Sequence, residues 1–161
     1  MVFLTSAQHK LAIVVLALMV WGLNFFLHFF WEMMQAPFFV ELTQATHAEV
    51  VWLGTRAAIG DAFIALIAYT GATLAARNAL WPAKEWPVRA FVTWLLIGIL
   101  ITLVVEVWAT DAGQRLPNTE AMSRLPQLNI GLLPVLQWLV IPILSLFPLR
   151  WLFLGWCQRL R

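Results

Sequence analysis

Four polar side chains recur along one apolar stretch near the start of the chain: Asn24, His28, Glu32 and Gln35. At about 100° per residue they fall on one helix face roughly 80° wide. An amide, an imidazole and a carboxylate are costly inside a membrane unless they pair with one another or serve a function. A positioned carboxyl group can act as a general acid or base, and Glu32 is the candidate on this face. We therefore predict that this face forms one wall of a polar site.

Three later apolar stretches also carry polar residues. The depth of these residues in the membrane indicates that they meet this wall. Charged groups facing lipid at mid-membrane would each cost about 2.5 to 3.5 kcal/mol on insertion scales, so we expect them to converge inside the protein. The sequence thus predicts an outward-opening pocket. Its acid/base candidates are Glu32 and Glu106, and its predicted ligand-binding residues are Asn24, His28, Arg56, Asp61, Gln137 and Trp138.

Four apolar segments must position these residues, at about 11–35, 48–76, 88–112 and 129–155. About 20 apolar residues span the hydrocarbon core as a helix, and each segment is long enough. The chain has 161 residues, of which 62% are hydrophobic and 11% charged, with a mean hydropathy of +0.83. This composition predicts an integral membrane protein with one domain over residues 1–161. We expect an all-α fold, an antiparallel bundle of four transmembrane helices.

The distribution of basic residues predicts the orientation of the bundle. Lys10 precedes the first segment, basic residues follow the second at positions 77, 84 and 89, and Arg159 lies near the C-terminus, whereas residues 36–47 contain no Lys or Arg. By the positive-inside rule, both termini face the cytoplasm. At the start of the second segment, "THAE" at 46–49 predicts a capping box formed by Thr46 and Glu49. A net charge of +2 without basic clusters gives no indication of a nucleic-acid partner.

Other interpretations of the buried polar residues remain open. Arg56 could form an ion pair with Glu32 or Glu106 that only fixes helix packing. The HxxxE spacing of His28 and Glu32 suits a shared metal ion, but one His with scattered carboxylates is a weak metal pattern, and a hydrogen-bonded core His is the alternative. A lone buried His can also ligate haem or a chlorin, yet no second candidate stands at matching depth. The sequence therefore assigns no cofactor.

Several motifs together resemble a group of small four-span bacterial membrane proteins. The motifs are "FFWEMMQAPFF" from residue 29, "IGD" at 59–61, "EVWA" at 106–109 and "RLPQLNIGLLPVLQW" at 124–138. They follow a pattern close to WExxQxP, GD, ExW and GxGLxPxxQW, although Asn129 stands where that group often has a glycine. The resemblance implies a bacterial inner-membrane setting and implies no activity.

His28 and Glu32 on one segment, with Glu106 on a later one, are similar to the EXPERA-type membrane proteins, which include sterol isomerases and the sigma-2 receptor. In those isomerases, intramembrane carboxyl groups shuttle a proton on a hydrophobic polycycle. The resemblance implies that role for Glu32 and Glu106. It covers three positions only, and the present chain has four segments with His28 in the first of them.

Three hypotheses about function follow. The first is a pocket that binds a lipid-like or small amphiphilic ligand, with or without acid/base chemistry on it. The second is an accessory or assembly subunit of a larger membrane complex, which small size and ten Trp residues fit. The third is a proton or ion pathway, against which the stretch after Asp61, "AFIALIAYTGATLAA", offers only Tyr69, Thr70 and Thr73 as polar groups. The expected partners are membrane lipid, a hydrophobic ligand or the subunits of such a complex.

Overall fold

Four long helices make up most of the protein. The structure is a computed structural model that describes residues 6–111, 119–125 and 130–159. Each of the four helices is long and apolar enough to cross a membrane, so the chain is a multi-pass membrane protein. The predicted all-α four-helix bundle is confirmed. The helices are α1 (Ser6–Gln35), α2 (His47–Ala76), α3 (Val88–Asp111) and α4 (Leu132–Arg159).

The helix ends differ from the predicted segment ends by a few residues. Helix α1 begins at Ser6 rather than near residue 11, and α4 runs from Leu132 to Arg159 rather than over 129–155. The predicted third-segment end at 112 and the position 129 lie outside the described residues. Pro134 is in the first turn of α4, where a missing amide hydrogen breaks no intrahelical bond.

The connections from α1 to α2 and from α2 to α3 are eleven residues each. The predicted capping box at the start of α2 is confirmed, because Thr46 accepts a hydrogen bond from the Glu49 amide and the Glu49 side chain accepts one from the Thr46 amide. Helix α2 ends at Ala76. The next residue, Arg77, has a φ of 55°, the left-handed conformation that commonly terminates helices. Two 3₁₀ turns link α1 to α2, and two strands of two residues each, β1 (Arg124–Leu125) and β2 (Ile130–Gly131), pair antiparallel before α4.

Small residues on α2 allow close helix packing. The helices form a ring in which α1 packs on α2 and α4, and α3 packs on α2 and α4. Because Gly and Ala let backbones approach closely, such faces are common where membrane helices meet. The buried residues of α2 are Gly54, Ala58, Ala62, Ala65, Ala68, Tyr69, Ala72 and Ala76.

An apolar core fills the end of the bundle where α2 connects to α3. Trp81 and Trp94 are buried there with ring centroids 5.5 Å apart, and Leu16 of α1 and Leu149 of α4 belong to the same cluster. The Tyr69 hydroxyl donates to the Ala79 carbonyl at 2.6 Å, which satisfies a polar group of that core. Polar side chains therefore gather at the opposite end, where α1 and α3 end and α2 and α4 begin.

Candidate functional site

A cavity of about 290 Å³ lies between the four helices at that opposite end. Its wall includes Glu32 of α1, Asp61 of α2, Glu106 of α3 and Gln137 of α4, together with Arg56. Five of the eight predicted site residues thus line one space. Helical spacing explains this for the two glutamates, Asp61 and Gln137, which lie on helix faces that the ring turns towards one another. Arg56 lies on an exposed part of α2 and borders the same space.

The side-chain amide of Gln137 is the centre of a polar cluster beside the cavity. Its nitrogen Nε2 lies 2.7 Å from His28 Nδ1, 3.2 Å from Glu32 Oε1 and 3.1 Å from Asp61 Oδ2. His28 Nδ1 is also 3.3 Å from Asp61 Oδ2. One amide therefore holds together side chains from α1, α2 and α4.

The hydrogen-bond roles in this cluster depend on the tautomer of His28. The Gln137 nitrogen carries two hydrogens, and Glu32 Oε1 and Asp61 Oδ2 can accept them. His28 Nδ1 either accepts one of these hydrogens, which puts the ring proton on the buried Nε2, or carries a proton itself and donates to Asp61 Oδ2. The Gln35 side chain is a further hydrogen-bond partner of Glu32.

The cavity is open on the side between α2 and α3. On α2, Arg56, Ala57 and Gly60 are exposed although they line the cavity. On α3, Val105 lines it and is 47% exposed. A side chain added at Gly60 would meet nothing within 4 Å. This side of the bundle therefore gives lateral access to the cavity, and Arg56 stands at the opening.

Two cavity-lining side chains are deeply buried and carry polar atoms without a partner. Gln35 is 5% exposed and Thr102 is 9% exposed. Gln35 Oε1 and Thr102 Oγ1 have no hydrogen-bond partner within the described parts of the chain, although the Gln35 side chain also bonds Glu32. An unpartnered buried polar group is costly, and these two belong to residues that line the cavity.

Three predicted ligand-binding residues, Asn24, His28 and Trp138, lie behind the cavity wall. All three are fully buried, and none of them lines the cavity. The Asn24 amide donates to the Val20 carbonyl one turn earlier on α1, at 2.8 Å. The Trp138 ring lies 5.0 Å from the His28 ring, centroid to centroid, and covers Gly98 of α3. None of the three side chains reaches the cavity. Trp138 packs against His28, which contacts the polar cluster.

The predicted catalytic and ligand-binding residues did not include several residues that line the cavity. Gln35 was predicted on the polar wall of α1 without a ligand-binding role. Thr102 lies one turn before Glu106, so spacing alone could have added it. Ala57 and Gly60 gave no chemical signal, because their contribution is the absence of a side chain at the opening.

The pairing of His28 with Glu32 in the structure differs from the arrangement of a shared metal site. Both side chains contact the Gln137 amide nitrogen, which lies between them. Over residues 6–111, 119–125 and 130–159, no group of three or more His, Cys, Asp or Glu side chains could hold a metal ion. The cluster is thus arranged around an N–H donor.

No protein-family model, curated protein or solved structure matches this chain. The geometry of the cavity is therefore the basis for the proposed function.

Proposed function

We propose that this protein binds the polar headgroup of a membrane amphiphile in the cavity between its four helices. The observation that carries the proposal is the cavity itself, which places three carboxyl groups, Glu32, Asp61 and Glu106, and one guanidinium, Arg56, around a space open between α2 and α3. Polar groups at such depth are expensive in a membrane protein and typically mark a ligand or ion site.

The size of the cavity favours a headgroup over a whole lipid. Small-molecule sites usually enclose roughly 300 to 1,000 Å³, and about 290 Å³ lies at the lower end of that range. The hydrocarbon part of the ligand would stay outside, along the apolar surface near the opening. Val105 of α3, which lines the cavity and is 47% exposed, belongs to this surface.

The packing beyond the polar cluster supports a pocket rather than an ion pathway. Continuing along α1 from His28, the buried positions are Asn24 and then the apolar Val20 and Leu16. On the facing helices, Ala68 and Leu149 belong to the same apolar core. A proton or ion would find no continuous polar route through this part of the described structure.

The basic residues and the four-span resemblance favour a bacterial inner membrane with both termini in the cytoplasm. In that orientation the cavity lies in the periplasmic half of the bilayer, because it is at the end opposite the basic α2–α3 connection. Glu32 and Glu106 remain the candidates for acid/base chemistry on a bound ligand, since each has its carboxyl group in the cavity wall.

Native mass spectrometry of the protein purified from membranes tests this proposal. The wild type should carry a bound amphiphile, and Gly60→Trp should lose it because the indole fills the opening. Gly22→Trp is the matched control, since Gly22 also has nothing within 4 Å of an added side chain and does not line the cavity. Glu106→Gln, which removes a carboxylate without filling space, should weaken retention.

Two results would overturn the pocket. One is the absence of any bound amphiphile in the wild type extracted in mild detergent. The other is equal retention in Gly60→Trp and Gly22→Trp, which would assign the bound lipid to the outer surface. A stoichiometric protein partner recovered in place of a ligand would support the accessory-subunit hypothesis instead.

A further inference from the structure

We infer that the ligand of this cavity carries a primary ammonium group, which donates hydrogen bonds to the acceptors of the cavity wall. The inference rests on the proposed function, since it names the chemical class of the headgroup that the same site binds.

The first argument is the set of acceptor oxygens in the cavity wall. Glu32 and Asp61 each accept a hydrogen bond from the Gln137 amide, and each carboxylate has further lone pairs that can accept. Gln35 Oε1 is a further acceptor, and it has no partner in the described structure. Because a buried acceptor without a donor is costly, the wall is complementary to a ligand rich in N–H groups. A primary ammonium supplies three such hydrogens, whereas a trimethylammonium supplies none.

The second argument is charge. Among the described residues, three carboxyl groups line the cavity against one guanidinium, that of Arg56, which lies at the exposed opening. A cationic group inside the cavity would compensate buried carboxylates, while an anionic group there would add to the repulsion. The wall therefore favours an ammonium over a free carboxylate or phosphate.

The third argument separates an ammonium from a metal ion. Across the described residues, no set of His, Cys, Asp and Glu side chains converges as metal ligands do. The acceptors instead surround a nitrogen of Gln137 at hydrogen-bond distances, which shows that this geometry accommodates an N–H donor. The unpartnered Thr102 Oγ1, 91% buried in the cavity wall, adds one more acceptor position of the same kind.

A methylation series of headgroups tests the inference. The probes are phospholipids with identical acyl chains and ethanolamine, N-methyl, N,N-dimethyl or choline headgroups, each titrated onto delipidated wild-type protein and measured by native mass spectrometry. Affinity should fall along the series, and choline should bind at least about tenfold more weakly than ethanolamine. Water-soluble phosphoethanolamine and phosphocholine form a second arm, which shows whether the headgroup alone suffices or a lipid is needed.

A variant pair assigns the preference to the cavity. Thr102→Val removes one acceptor at nearly constant volume, and it should reduce the ethanolamine preference severalfold. Ser145→Ala is the control, because that buried hydroxyl donates to the Pro142 carbonyl of its own helix and does not line the cavity. Its preference should match the wild type.

The outcomes distinguish the two proposals. Equal binding of ethanolamine and choline lipids, with both lost in Gly60→Trp, would overturn the ammonium inference and leave the pocket standing. Tighter binding of a glycerol-headgroup anionic lipid would overturn it as well. If no probe in either arm binds the wild type while the protein purified from membranes still carries an amphiphile, the ammonium inference fails and the pocket stands. If the purified protein carries no amphiphile either, both proposals fail.

Discussion

Gln137 of α4 and His28 of α1 are in contact, with Gln137 Nε2 and His28 Nδ1 2.7 Å apart. They are separated by 109 positions in the sequence, and both side chains are buried. The contact makes α4 the donor side of a cluster whose acceptors come from α1 and α2. Removing this one amide should therefore affect three helices.

Replacing Gln137 by Leu should lower the free energy of unfolding by at least about 1 to 3 kcal/mol. The change keeps the approximate volume but removes the donor to Glu32 and Asp61 and the hydrogen-bond partner of His28, and a buried polar group left without a partner is costly. Denaturant-induced unfolding in detergent, followed by circular dichroism, measures the difference. Ser145→Ala serves as the control with a smaller loss, because its hydrogen bond stays within α4. A Gln137→Leu protein as stable as wild type would show that the cluster does not hold the helices together.

A methyl group added at Gly98 should destabilise the contact between α3 and α4. An added Cβ would clash with Cε3 of Trp138, whose indole is fully buried. Overpacking of this kind costs about 1 to 3 kcal/mol, so Gly98→Ala should unfold at lower denaturant. The same substitution at Gly22, where nothing lies within 4 Å, should be neutral or stabilise by up to about 1 kcal/mol through helix propensity. Equal stabilities of the two variants would contradict the close packing at Gly98.

The capping box at the start of α2 should contribute measurably to stability. Thr46→Ala removes the side-chain oxygen that accepts from the Glu49 amide, and loss of such a cap costs about 1 kcal/mol. The midpoint of thermal unfolding should therefore fall. Thr43→Ala is a nearby comparison, since its hydroxyl donates only to the Val40 carbonyl of a 3₁₀ turn and caps no long helix. A larger effect at Thr43 than at Thr46 would be inconsistent with a role for the cap.

The orientation of the bundle can be measured with cysteine labelling. In a Cys157→Ser background, Thr43→Cys and Glu85→Cys place a thiol at exposed positions in the α1–α2 and α2–α3 connections. A membrane-impermeant maleimide applied to spheroplasts should label position 43 and leave position 85 unlabelled. Both should react after permeabilisation. The reverse pattern would place the cavity in the cytoplasmic half of the membrane.

Much of the fold could be predicted because the forces behind it are local in sequence. A run of about 20 apolar residues forms a helix in lipid whatever its neighbours are, since its backbone groups have no other hydrogen-bond partners there. The capping box at Thr46 depends on four consecutive residues, and it was predicted correctly for the same reason. The predicted starts of α1 and α4 were displaced by a few residues, because polar residues at helix ends give no sharp hydropathy boundary.

The candidate site was only partly predictable. Helical periodicity fixes the face and the approximate depth of a side chain, which was enough to indicate that Glu32, Asp61 and Glu106 approach one space. Helical periodicity does not determine which residue of another helix a side chain contacts. Asn24 was predicted to bind ligand from its position on the polar face, yet its amide bonds the backbone of its own helix.

The sequence by itself determined that this is a four-helix membrane protein whose polar residues lie on inward faces, because hydropathy and helical repeat act within each segment. Only the tertiary structure decided that Gln137 is the shared donor, that Trp138 lies over Gly98, and that the cavity opens beside Gly60. These features depend on how far one helix is rotated and shifted along its axis relative to the next. Close contacts between small residues determine that rotation and shift. No single segment contains that information.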